Sequence, residues 1–424
     1  MKPYLQLDKN ELVAELAAVK EKYDKFCSMN LKLDMSRGKP SPSQLDLSNA
    51  LLDALPSSES HNASDGTDTR NYGVLEGLPE ARQLMASMMG VRPEQVIVGG
   101  NSSLNLMFDF LIQAMAKGLG DRPWLLQGQV KFICPSPGYD RHFGICEYLG
   151  IEMIPVAMLA DGPDMDEVER LITDPLVKGM WCVPKYSNPQ GITYSDETVR
   201  RIAAMRPAAG DFRVMWDNAY CIHRVGREDD SLLNILDECA AAGNPDLAVM
   251  FASTSKVTFP GAGISAIAAG EGNLKLIRQR MQKQTIGYDK VNQLRHVRMF
   301  PDSAALLRHM EKNSEILEPK FKTVLEILSR ELDGLGVASW TEPNGGYFVS
   351  VDTLPQCASR TVTLCREAGV VLTGAGATYP YGKDPLDSNI RIAPSYPTVE
   401  ELAAAMELFV TAVKLSALEM LSAQ

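Results

Sequence analysis

The sequence predicts an α/β fold, in which a large domain with a mostly parallel central sheet flanked by helices is joined to a smaller α+β domain. Short apolar segments alternate with helix-like segments from residue 96 to about residue 270. Repeated strand–helix units of this kind build parallel sheets with helices on both faces. Further strand-like segments follow residue 334, behind a long amphipathic helix, and the chain of 424 residues is too long for one compact core.

The composition is typical of a soluble globular protein, with 45% hydrophobic and 22% charged residues. The formal net charge of −11 and the absence of a basic run argue against a nucleic-acid partner. The N-terminus is a charge-rich amphipathic helix and not a signal peptide, and no apolar run reaches the roughly 18 to 20 residues of a membrane span. The eight cysteines form no CxxC pair and mostly lie in apolar runs, which indicates buried free thiols. We therefore expect a cytoplasmic protein without a membrane partner.

The first element is a helix at residues 8–29, whose apolar residues recur at three- and four-residue spacings: Leu12, Leu16, Val19, Tyr23 and Phe26. A loop rich in Gly, Pro and Ser follows at residues 33–48. Within it Gly38, between Arg37 and Lys39, could let a ligand approach the backbone, although a solvated linker has the same composition. We expect residues 1–48 to form the N-terminal segment of the small domain.

Residues 49–300 are expected to form the large domain, whose strand-like runs are VIVGG, KFICPSP, IEMIPVAM, GMWCVPKY, RVMWDNAY and LAVMFAS. The helix after the first run can be capped by Asn101, Ser102 or Ser103. Ligands of parallel sheets bind beyond the carboxyl ends of the strands. The polar residues that end these runs therefore become the candidate site residues.

Residues 301–424 are expected to complete the small domain. After a helical stretch at residues 271–300, a long amphipathic helix runs from about residue 302 to residue 332, and Gly334 and Gly336 stop it. The runs GVASW, GGYFVSVD, VVLTGAG and NIRIAPS then alternate with a helix near residues 358–368. The closing helix begins at a capping-box pair, Thr398 and Glu401.

Lys256 is the first candidate for chemistry. It follows the apolar run LAVMF at residues 247–251 and precedes a turn rich in glycine and proline, within FASTSKVTFPGAG. A lysine at the end of a buried strand is desolvated, which lowers its pKa and keeps part of it as the free amine that attacks carbonyls. Lys256 is therefore a candidate for a Schiff base, with an exposed loop lysine as the alternative.

Two turns could hold other parts of a ligand. The segment GGNSSL at residues 99–104 combines backbone N–H groups at a helix start with the hydroxyls of Ser102 and Ser103, an arrangement suited to a phosphate. Such turns are also common without a ligand. In PSPGYD, the ring of Tyr139 could cover a flat ligand, or it could be an ordinary core or surface tyrosine.

Two more strand ends carry an amide and a carboxylate. Asn188 precedes a proline in PKYSNPQG, so that its amide is held in a defined turn, which need not have a functional reason. Asp217 ends the apolar run of WDNAY, and Tyr220 follows three residues later. A carboxylate at such a place is costly unless it is paired, which leaves a structural salt bridge or a ligand cation as interpretations.

Taken together, these residue types suit pyridoxal 5′-phosphate, and no metal site is expected. The cofactor needs a lysine for an imine, a carboxylate for its pyridine nitrogen, donors for its phenolic oxygen, a ring to stack on and an anion cradle. In that order, the sequence offers Lys256, Asp217, Asn188 with Tyr220, Tyr139, and Ser102 with Ser103.

The order of the motifs NYGxxxG, NPxG, DxxY and SxSK resembles that of fold type I pyridoxal-phosphate aminotransferases of class I/II. The resemblance covers about residues 37–400. Within that group, SRGKPS, PSPGYDRHF and TSKVTFPGAG are similar to the bacterial aspartate aminotransferase subgroup called type Ic, which is related to the aminotransferase-like domains of MocR regulators.

The resemblance implies roles for the matching residues. Lys256 would bind the cofactor covalently and carry the substrate proton, and Asp217 would pair with the ring nitrogen. Tyr220 and Asn188 would bond to the phenolic oxygen, and Tyr139 would stack on the ring. The phosphate would be held by Ser102, Ser103, Ser253 and Ser255.

Substrate and subunit contacts are implied in the same way. Arg391 in NIRIAPS matches the arginine that clasps the substrate α-carboxylate, with a strand-edge salt bridge as the alternative. Gly38 and Asn188 would lie against the substrate. Tyr72 in NYG would reach the phosphate of the neighbouring subunit, which implies a homodimer.

One position departs from the family pattern. Many members carry a phosphate-binding arginine eight residues after the lysine, and here that position is Ile264. No replacement cation stands out in the sequence. A dicarboxylic substrate also needs a second cation, for which the candidates are Arg37, Lys39, Arg295 and Arg298.

The resemblance thus implies an aminotransferase that moves the amino group of aspartate or glutamate to a 2-oxo acid such as 2-oxoglutarate, by a ping-pong mechanism through aldimine and quinonoid intermediates. Aminotransferases for aromatic amino acids, kynurenine or alanine, and a carbon–sulfur β-lyase, are alternatives with the same fold. A non-catalytic ligand-sensing domain like that of MocR regulators is a more distant alternative, because the sequence shows no basic winged-helix extension.

Overall fold

The computed structural model describes residues 2–423, in which strands and helices alternate through the middle of the chain. The strands are β1 (Leu33–Asp34), β2 (Val96–Val98), β3 (Lys131–Ser136), β4 (Glu152–Leu159), β5 (Gly162–Pro163), β6 (Val177–Cys182), β7 (Arg213–Asp217), β8 (Ala248–Ser253), β9 (Ser265–Ala269), β10 (Ala338–Trp340), β11 (Val349–Thr353), β12 (Val370–Val371) and β13 (Asn389–Ile392). The α-helices are α1 (Lys9–Ser28), α2 (Pro42–Asp46), α3 (Ala50–Asp53), α4 (Pro79–Met89), α5 (Ser103–Lys117), α6 (Asp140–Tyr148), α7 (Met165–Leu171), α8 (Asp196–Ala204), α9 (Ile235–Ala241), α10 (Glu271–Gln284), α11 (Lys290–Met299), α12 (Ser303–Leu332), α13 (Ala358–Glu367) and α14 (Val399–Ser422). The predicted α/β class is confirmed.

Eight of these strands form the central sheet, in the order β2, β9, β8, β7, β6, β3, β4, β5. The pairs from β8 through β7, β6 and β3 to β4 are parallel. Strand β9 runs antiparallel to both of its neighbours, and β5 runs antiparallel to β4. The sheet is mostly parallel, as predicted, and the carboxyl ends of β6, β7 and β8 share one edge.

Both faces of the central sheet are covered by helices. Successive side chains of a strand point to opposite faces, and along β7 Val214 and Trp216 pack into one hydrophobic cluster while Met215 packs into another. The first cluster includes α4, α8 and α9, and the second includes α5, α6 and α10. Burial on both faces explains why the central strands are apolar at nearly every position.

A second core joins the two ends of the chain, and we call it the terminal core. It contains the buried faces of α1, α13 and α14, the second half of α12, and the three-stranded sheet β10–β11–β13. In α1, Val19 and Tyr23 are buried, and the other apolar residues of the predicted stripe pack against them. The domain boundaries expected at residues 48 and 300 stay predictions.

The segment at residues 33–48 is more regular than the predicted loop. Strand β1 pairs in parallel with β12, so the run VVLTGAG joins the N-terminal segment and not the three-stranded sheet. Helix α2 begins after Ser41, whose backbone N–H donates to the side-chain oxygen of Gln44 at 3.0 Å. A two-residue strand and a five-residue helix are too short for periodicity to reveal them.

Helix α12 runs for 30 residues and belongs to both cores. Leu306 and Met310 pack against the central sheet, whereas Leu317 and Phe321 pack in the terminal core. The predicted span of this helix is confirmed, as is the capping box of α14. There, Glu401 N–H donates to Thr398 Oγ1 at 3.2 Å and Thr398 N–H donates to Glu401 Oε2 at 2.9 Å.

The eight cysteines are unpaired, and most of them are buried, as predicted; Cys221 is partly buried and Cys27 is exposed. In the part of the chain from residue 2 to residue 423, none of the helices combines the length and the apolar character needed to cross a membrane.

A buried ion pair between Lys178 and Asp211, where β6 and β7 begin, gives a test of this packing. Asp211 is 1% exposed and accepts hydrogen bonds from Lys178 Nζ at 2.8 Å and from Trp124 Nε1 at 2.9 Å. Asp211→Ala leaves a buried ammonium without its carboxylate, so we expect the free energy of unfolding to fall by about 3–5 kcal/mol. Urea denaturation followed by circular dichroism measures the loss. Glu21→Ala, which breaks the exposed Lys25–Glu21 pair, is the control, and an equal loss in both variants would contradict the expectation.

Candidate active site

A cavity of about 590 Å³ opens where the carboxyl ends of β6, β7 and β8 meet the terminal core. Its walls come from the turns after these strands, from the start of α5, and from residues near β1, β12 and β13. All predicted site residues except Tyr72 line this cavity: Gly38, Ser102, Ser103, Tyr139, Asn188, Asp217, Tyr220, Ser253, Ser255, Lys256 and Arg391.

Lys256 follows β8 and is partly buried, unlike the exposed loop lysine that the sequence left as an alternative. Its Nζ lies 4.8 Å from the centroid of the Tyr220 ring and 6.0 Å from that of Tyr347. Burial lowers the pKa of the Lys256 ammonium, and the negative charge of Asp217 opposes this shift. A larger share of free amine is therefore present near neutral pH than at an ordinary lysine.

Buried His296 of α11 holds the turn that carries Lys256. Its Nδ1 lies 2.8 Å from the carbonyl oxygen of Asn292, and a carbonyl can only accept, so we assign the ring proton to Nδ1. The other ring nitrogen, Nε2, is then an acceptor for the hydroxyl of Thr258 at 3.0 Å, and the hydroxyl of Thr254 lies 3.2 Å from it. No sequence pattern marks this histidine, because the two threonines come from another part of the chain.

The carboxylate of Asp217, at the end of β7, is 3% exposed. Its Oδ2 lies 3.0 Å from Nε2 of His142, whose ring stacks on Trp181 with centroids 4.1 Å apart. Its Oδ1 has no hydrogen-bond partner among residues 2–423. A buried carboxylate oxygen without a donor is costly, so this atom fits a cationic N–H of a ligand.

Sequence reasoning missed His142. The signal was present in PSPGYDRHF, where the histidine stands three residues after Tyr139 and therefore one helical turn along the same face of α6. In the structure the two rings are in edge-to-face contact, with centroids 4.9 Å apart. Burial and the charges of Asp217 and Asp140 raise the pKa of Tyr139 to about 12, so its phenol stays neutral.

The four predicted serines lie together at the start of α5. Ser102 is the N-cap residue of this helix, although its side chain makes no capping bond. The hydroxyl of Ser253 donates to that of Ser255 at 3.0 Å, which in turn donates to the carbonyl oxygen of Asn101 at 3.1 Å. Hydroxyls beside the first N–H groups of a helix form an anion site, which suits a phosphate.

Ile264 occupies the position at which many family members carry an arginine. It is 1% exposed in the core beside the central sheet, and its backbone N–H donates to Thr254 Oγ1 at 2.9 Å. This position therefore supplies no cation to the cavity. The anion site there consists of hydroxyls and helix N–H groups.

Arg391 of β13 brings a cation from the terminal core. It is 7% exposed and donates to Asn188 Oδ1 at 3.0 Å, Thr373 Oγ1 at 3.2 Å and Asp140 Oδ1 at 3.3 Å. Its Nε has no partner within the described chain. The salt bridge considered from the sequence thus exists, with Asp140, but the guanidinium keeps a free donor for another acceptor.

Phe348 explains why residue 38 is glycine. The guanidinium of Arg391 lies 4.8 Å from the Phe348 ring centroid, and a Cβ at Gly38 would come within 2.4 Å of Phe348 Cζ. The sequence argument expected a ligand to approach the backbone at Gly38; Gly38 does line the cavity, and the structure adds that the Phe348 side chain needs the space beside it. Phe348 itself resembles any core residue of a strand in the sequence.

Some of the remaining predicted residues lie outside the cavity. Tyr72 is 81% exposed and lines a second pocket between residues 69–73 and 286–291. Of the four cations suggested for a second substrate carboxylate, Arg37 and Lys39 line the cavity, and Arg295 and Arg298 do not. Arg298 forms an ion pair elsewhere on the surface.

Comparisons with known proteins agree with this geometry. The model of the family described as aspartate amino-transferase matches residues 7–424. An aspartate aminotransferase of Corynebacterium glutamicum is 49% identical over 403 residues, which cover 95% of this chain and 93% of that protein. The crystal structure of an aspartate transaminase from Corynebacterium glutamicum has a TM-score of 0.96 at 47% identity and covers 99% of both chains. That of an α-aminoadipate aminotransferase from Thermus thermophilus, complexed with N-(5′-phosphopyridoxyl)-L-leucine, has a TM-score of 0.74 at 19% identity, over 99% of this chain and 97% of that one.

The fold and the site, with these comparisons, define an aminotransferase of fold type I. The chain belongs to the aspartate aminotransferase family. The predicted fold and enzyme class are confirmed, while the assignment to the type Ic subgroup and the roles of individual residues stay predictions.

The pKa of Lys256 can be measured directly. We expect it to lie below the ordinary lysine value of about 10.4, because burial disfavours the ammonium. The rate at which an acylating reagent modifies Lys256 in cofactor-free protein, read by peptide mass against pH, gives this pKa. Asp217→Asn removes the charge that opposes the shift, so the pKa should fall further in that variant. An ordinary lysine pKa in both proteins would contradict the buried placement.

Proposed function

We propose that this enzyme depends on pyridoxal 5′-phosphate and moves the amino group of aspartate, or of glutamate, to a 2-oxo acid such as 2-oxoglutarate. The observation that carries the proposal is the presence, in one cavity, of Lys256 with a lowered pKa and of buried Asp217 with an oxygen that lacks a donor. The free amine fits an aldehyde, and the carboxylate fits a protonated ring nitrogen.

The cavity residues fit this cofactor group by group. When bound, the cofactor supplies an aldehyde that condenses with amines and a protonated ring that withdraws electrons from the substrate α-carbon. Lys256 would hold the aldehyde carbon, Asp217 the ring nitrogen, and Tyr220 with Asn188 the phenolic oxygen. Tyr139 would cover the ring. The phosphate would lie against the hydroxyls of Ser102, Ser103, Ser253 and Ser255.

Lys256 would move the proton of the reaction. With a lowered pKa it is partly the free amine at neutral pH, which can take the proton from the substrate α-carbon. The nearby charge of Asp217 stabilises the ammonium that forms. Asp217 in turn is oriented by His142, which lies against one oxygen and is itself held by stacking on Trp181.

Arg391 would bind the substrate α-carboxylate. Its guanidinium lies against Asn188 and the Phe348 ring and keeps its Nε without a partner among residues 2–423, and a guanidinium can take a carboxylate through two parallel N–H bonds. Gly38 and Asn188 would complete the substrate contacts. Because every amino acid carries an α-carboxylate, this contact does not select among substrates.

The choice of aspartate is supported by the 49% identical relative from Corynebacterium glutamicum, which is an aspartate aminotransferase. Three further cations, Arg37, Lys39 and Arg141, line the same cavity and favour a substrate with two negative charges. Neither observation distinguishes aspartate from glutamate, which differ by one methylene.

We further propose a homodimer in which Tyr72 reaches the phosphate of the neighbouring subunit. Tyr72 and Ile286 both line the second pocket, and they are 81% and 64% exposed. Large side chains left exposed together are typical of an interface. A cytoplasmic location stays a prediction from the composition.

Single-turnover reactions of the purified holoenzyme test the substrate class. Aspartate, glutamate, alanine, kynurenine and phenylalanine are each mixed with the enzyme, and the 2-oxo acid formed is measured. We expect the two dicarboxylic amino acids to react about 100-fold faster than the others or more. A preference for another amino acid, or release of pyruvate and ammonia from a cysteine conjugate, would replace this assignment.

The control for that experiment is Lys256→Ala. It should slow the aspartate reaction by at least about 100-fold. It should also prevent borohydride from fixing the cofactor to the chain, which peptide mass detects without any assay of activity. Fixation of the cofactor at another residue would show that Lys256 is not the attachment site.

Asp140→Asn tests whether Asp140 competes with the substrate for Arg391. The carboxylate of Asp140 is about one-third exposed and bonds to the guanidinium at 3.3 Å. Loss of its charge should free the arginine and lower KM about two- to fivefold for every amino acid that reacts. Asp166→Asn, which breaks a surface pair with Arg201, should leave KM unchanged. A higher KM in Asp140→Asn would instead mean that Asp140 orients Arg391 for binding.

A further inference from the structure

We propose that Lys320 of α12 is a positioning residue, which through its hydrogen bond to Ser395 holds residues 36–39 against the cavity and so sets the affinity for the amino-acid substrate. The inference rests on the proposed function, in which Arg391 and Gly38 contact the substrate. Lys320 itself does not line the cavity, and the proposed function gives it no role.

Lys320 is a cation in an apolar environment. It is 5% exposed, and its neighbours along the helix, Leu317, Phe321 and Val324, pack in the terminal core. Burial lowers the pKa of Lys320 to about 8, and the negative charge of Glu401 opposes this shift. At neutral pH the group is therefore still mainly the ammonium, whose burial costs free energy.

A single hydrogen bond offsets part of that cost. The ammonium donates to the carbonyl oxygen of Ser395 at 2.6 Å, and this is its only hydrogen bond or ion pair among residues 2–423. An ammonium has three donors, and an apolar side chain of similar volume often stabilises a core as well or better. The contact is therefore better explained by the segment that Lys320 holds than by the stability of the terminal core.

Ser395 links Lys320 to a wall of the cavity. It is 0% exposed, and its hydroxyl donates to the carbonyl oxygen of Lys39 at 2.9 Å. The backbone of Ser395 thus contacts the helix, while its side chain contacts the segment at residues 36–39. All four residues of that segment line the cavity. Ser395 also stands only four residues after Arg391 in the chain.

This wall segment is in turn packed against the groups proposed to bind the substrate. At one end the hydroxyl of Thr373 donates to the carbonyl oxygen of Ser36 at 2.6 Å and accepts from Arg391 at 3.2 Å. In the middle, Gly38 lies so close to Phe348 that a Cβ would not fit. The same ring lies 4.8 Å from the Arg391 guanidinium. A displaced wall segment would therefore disturb both the ring and the guanidinium.

The reacting groups lie elsewhere. Lys256 and Asp217 belong to the carboxyl ends of the central strands, whereas the contact made by Lys320 lies in the terminal core. A small misplacement of binding groups weakens the complex. The loss should therefore appear in the affinity for the substrate and not in the rate at which bound substrate reacts.

The test compares Lys320→Met with Lys322→Met. Methionine keeps most of the side-chain volume but has no hydrogen-bond donor. Lys322 lies on the same helix, is exposed and pairs with Glu326, so it is the matched control. For each holoenzyme, kcat and KM are measured with aspartate. The Kd of 2-methylaspartate, which has no α-proton to lose, is measured from the cofactor absorbance.

We expect Lys320→Met to raise KM and Kd about 5- to 20-fold, as the loss of a charge-assisted hydrogen bond would, and to change kcat less than about twofold. Lys322→Met should change none of the three. Thermal unfolding and cofactor absorbance show whether each variant is folded and loaded. A lower kcat with unchanged KM, or equal losses of kcat and affinity in a less stable protein, would overturn the inference.

A double variant tests the route through Ser395. Ser395→Ala removes the hydroxyl that holds Lys39 and keeps the carbonyl oxygen that Lys320 binds, so it should itself raise Kd at least about threefold. Because both changes break one connection, the double variant should bind less than about twofold more weakly than Lys320→Met. Factors that multiply would show that Lys320 does not act through Ser395. An unchanged Kd in Ser395→Ala would contradict the inference even if Lys320→Met does not fold.

The failure of this inference differs from the failure of the proposed function. If the unmodified enzyme transfers the amino group of no dicarboxylic amino acid, the proposed function fails. If it does so and Lys320→Met leaves KM and Kd unchanged, only the role of Lys320 fails.

Discussion

The free-energy cost of burying charged groups at the edge of the central sheet determines how this site is arranged. Strands β6, β7 and β8 are apolar on both faces and end side by side, so that Asn188, Asp217 and Lys256 meet although they are far apart in sequence. Water has little access there, and each charge depends on its neighbours. Lys256 responds by a lowered pKa, and Asp217 by its contact with His142, which leaves one oxygen for a ligand.

Much of this arrangement is predictable from the sequence, because apolar runs mark the strands and the first polar residue after each run marks its end. That reasoning brought Lys256, Asp217 and Asn188 together correctly. It could not place Tyr72, which lies outside the cavity of this chain. Its proposed role concerns a second subunit, and the periodicity of one chain carries no information about a neighbour.

The residues that sequence reasoning missed share one property: their partners are distant in the chain. His142 meets Asp217 across 75 residues, and Asp140 meets Arg391 across 251. Phe348 needs the space above Gly38, a contact that no local pattern encodes. Short elements such as β1 escape prediction for the same reason, since the two-residue strand exists only because β12 pairs with it.

Helix α12 connects the two cores between which the cavity lies. The helix passes from the core of the central sheet at Met310 to the terminal core at Leu317, and Pro319 stands just beyond the crossing. Proline cannot donate the backbone hydrogen bond that normally stiffens a helix, so bending is easiest there. Lys256 follows β8 of the central sheet, whereas Arg391 lies in β13 of the terminal core. A bend of the helix at Pro319 would therefore change the distance between the Lys256 amine and the Arg391 guanidinium.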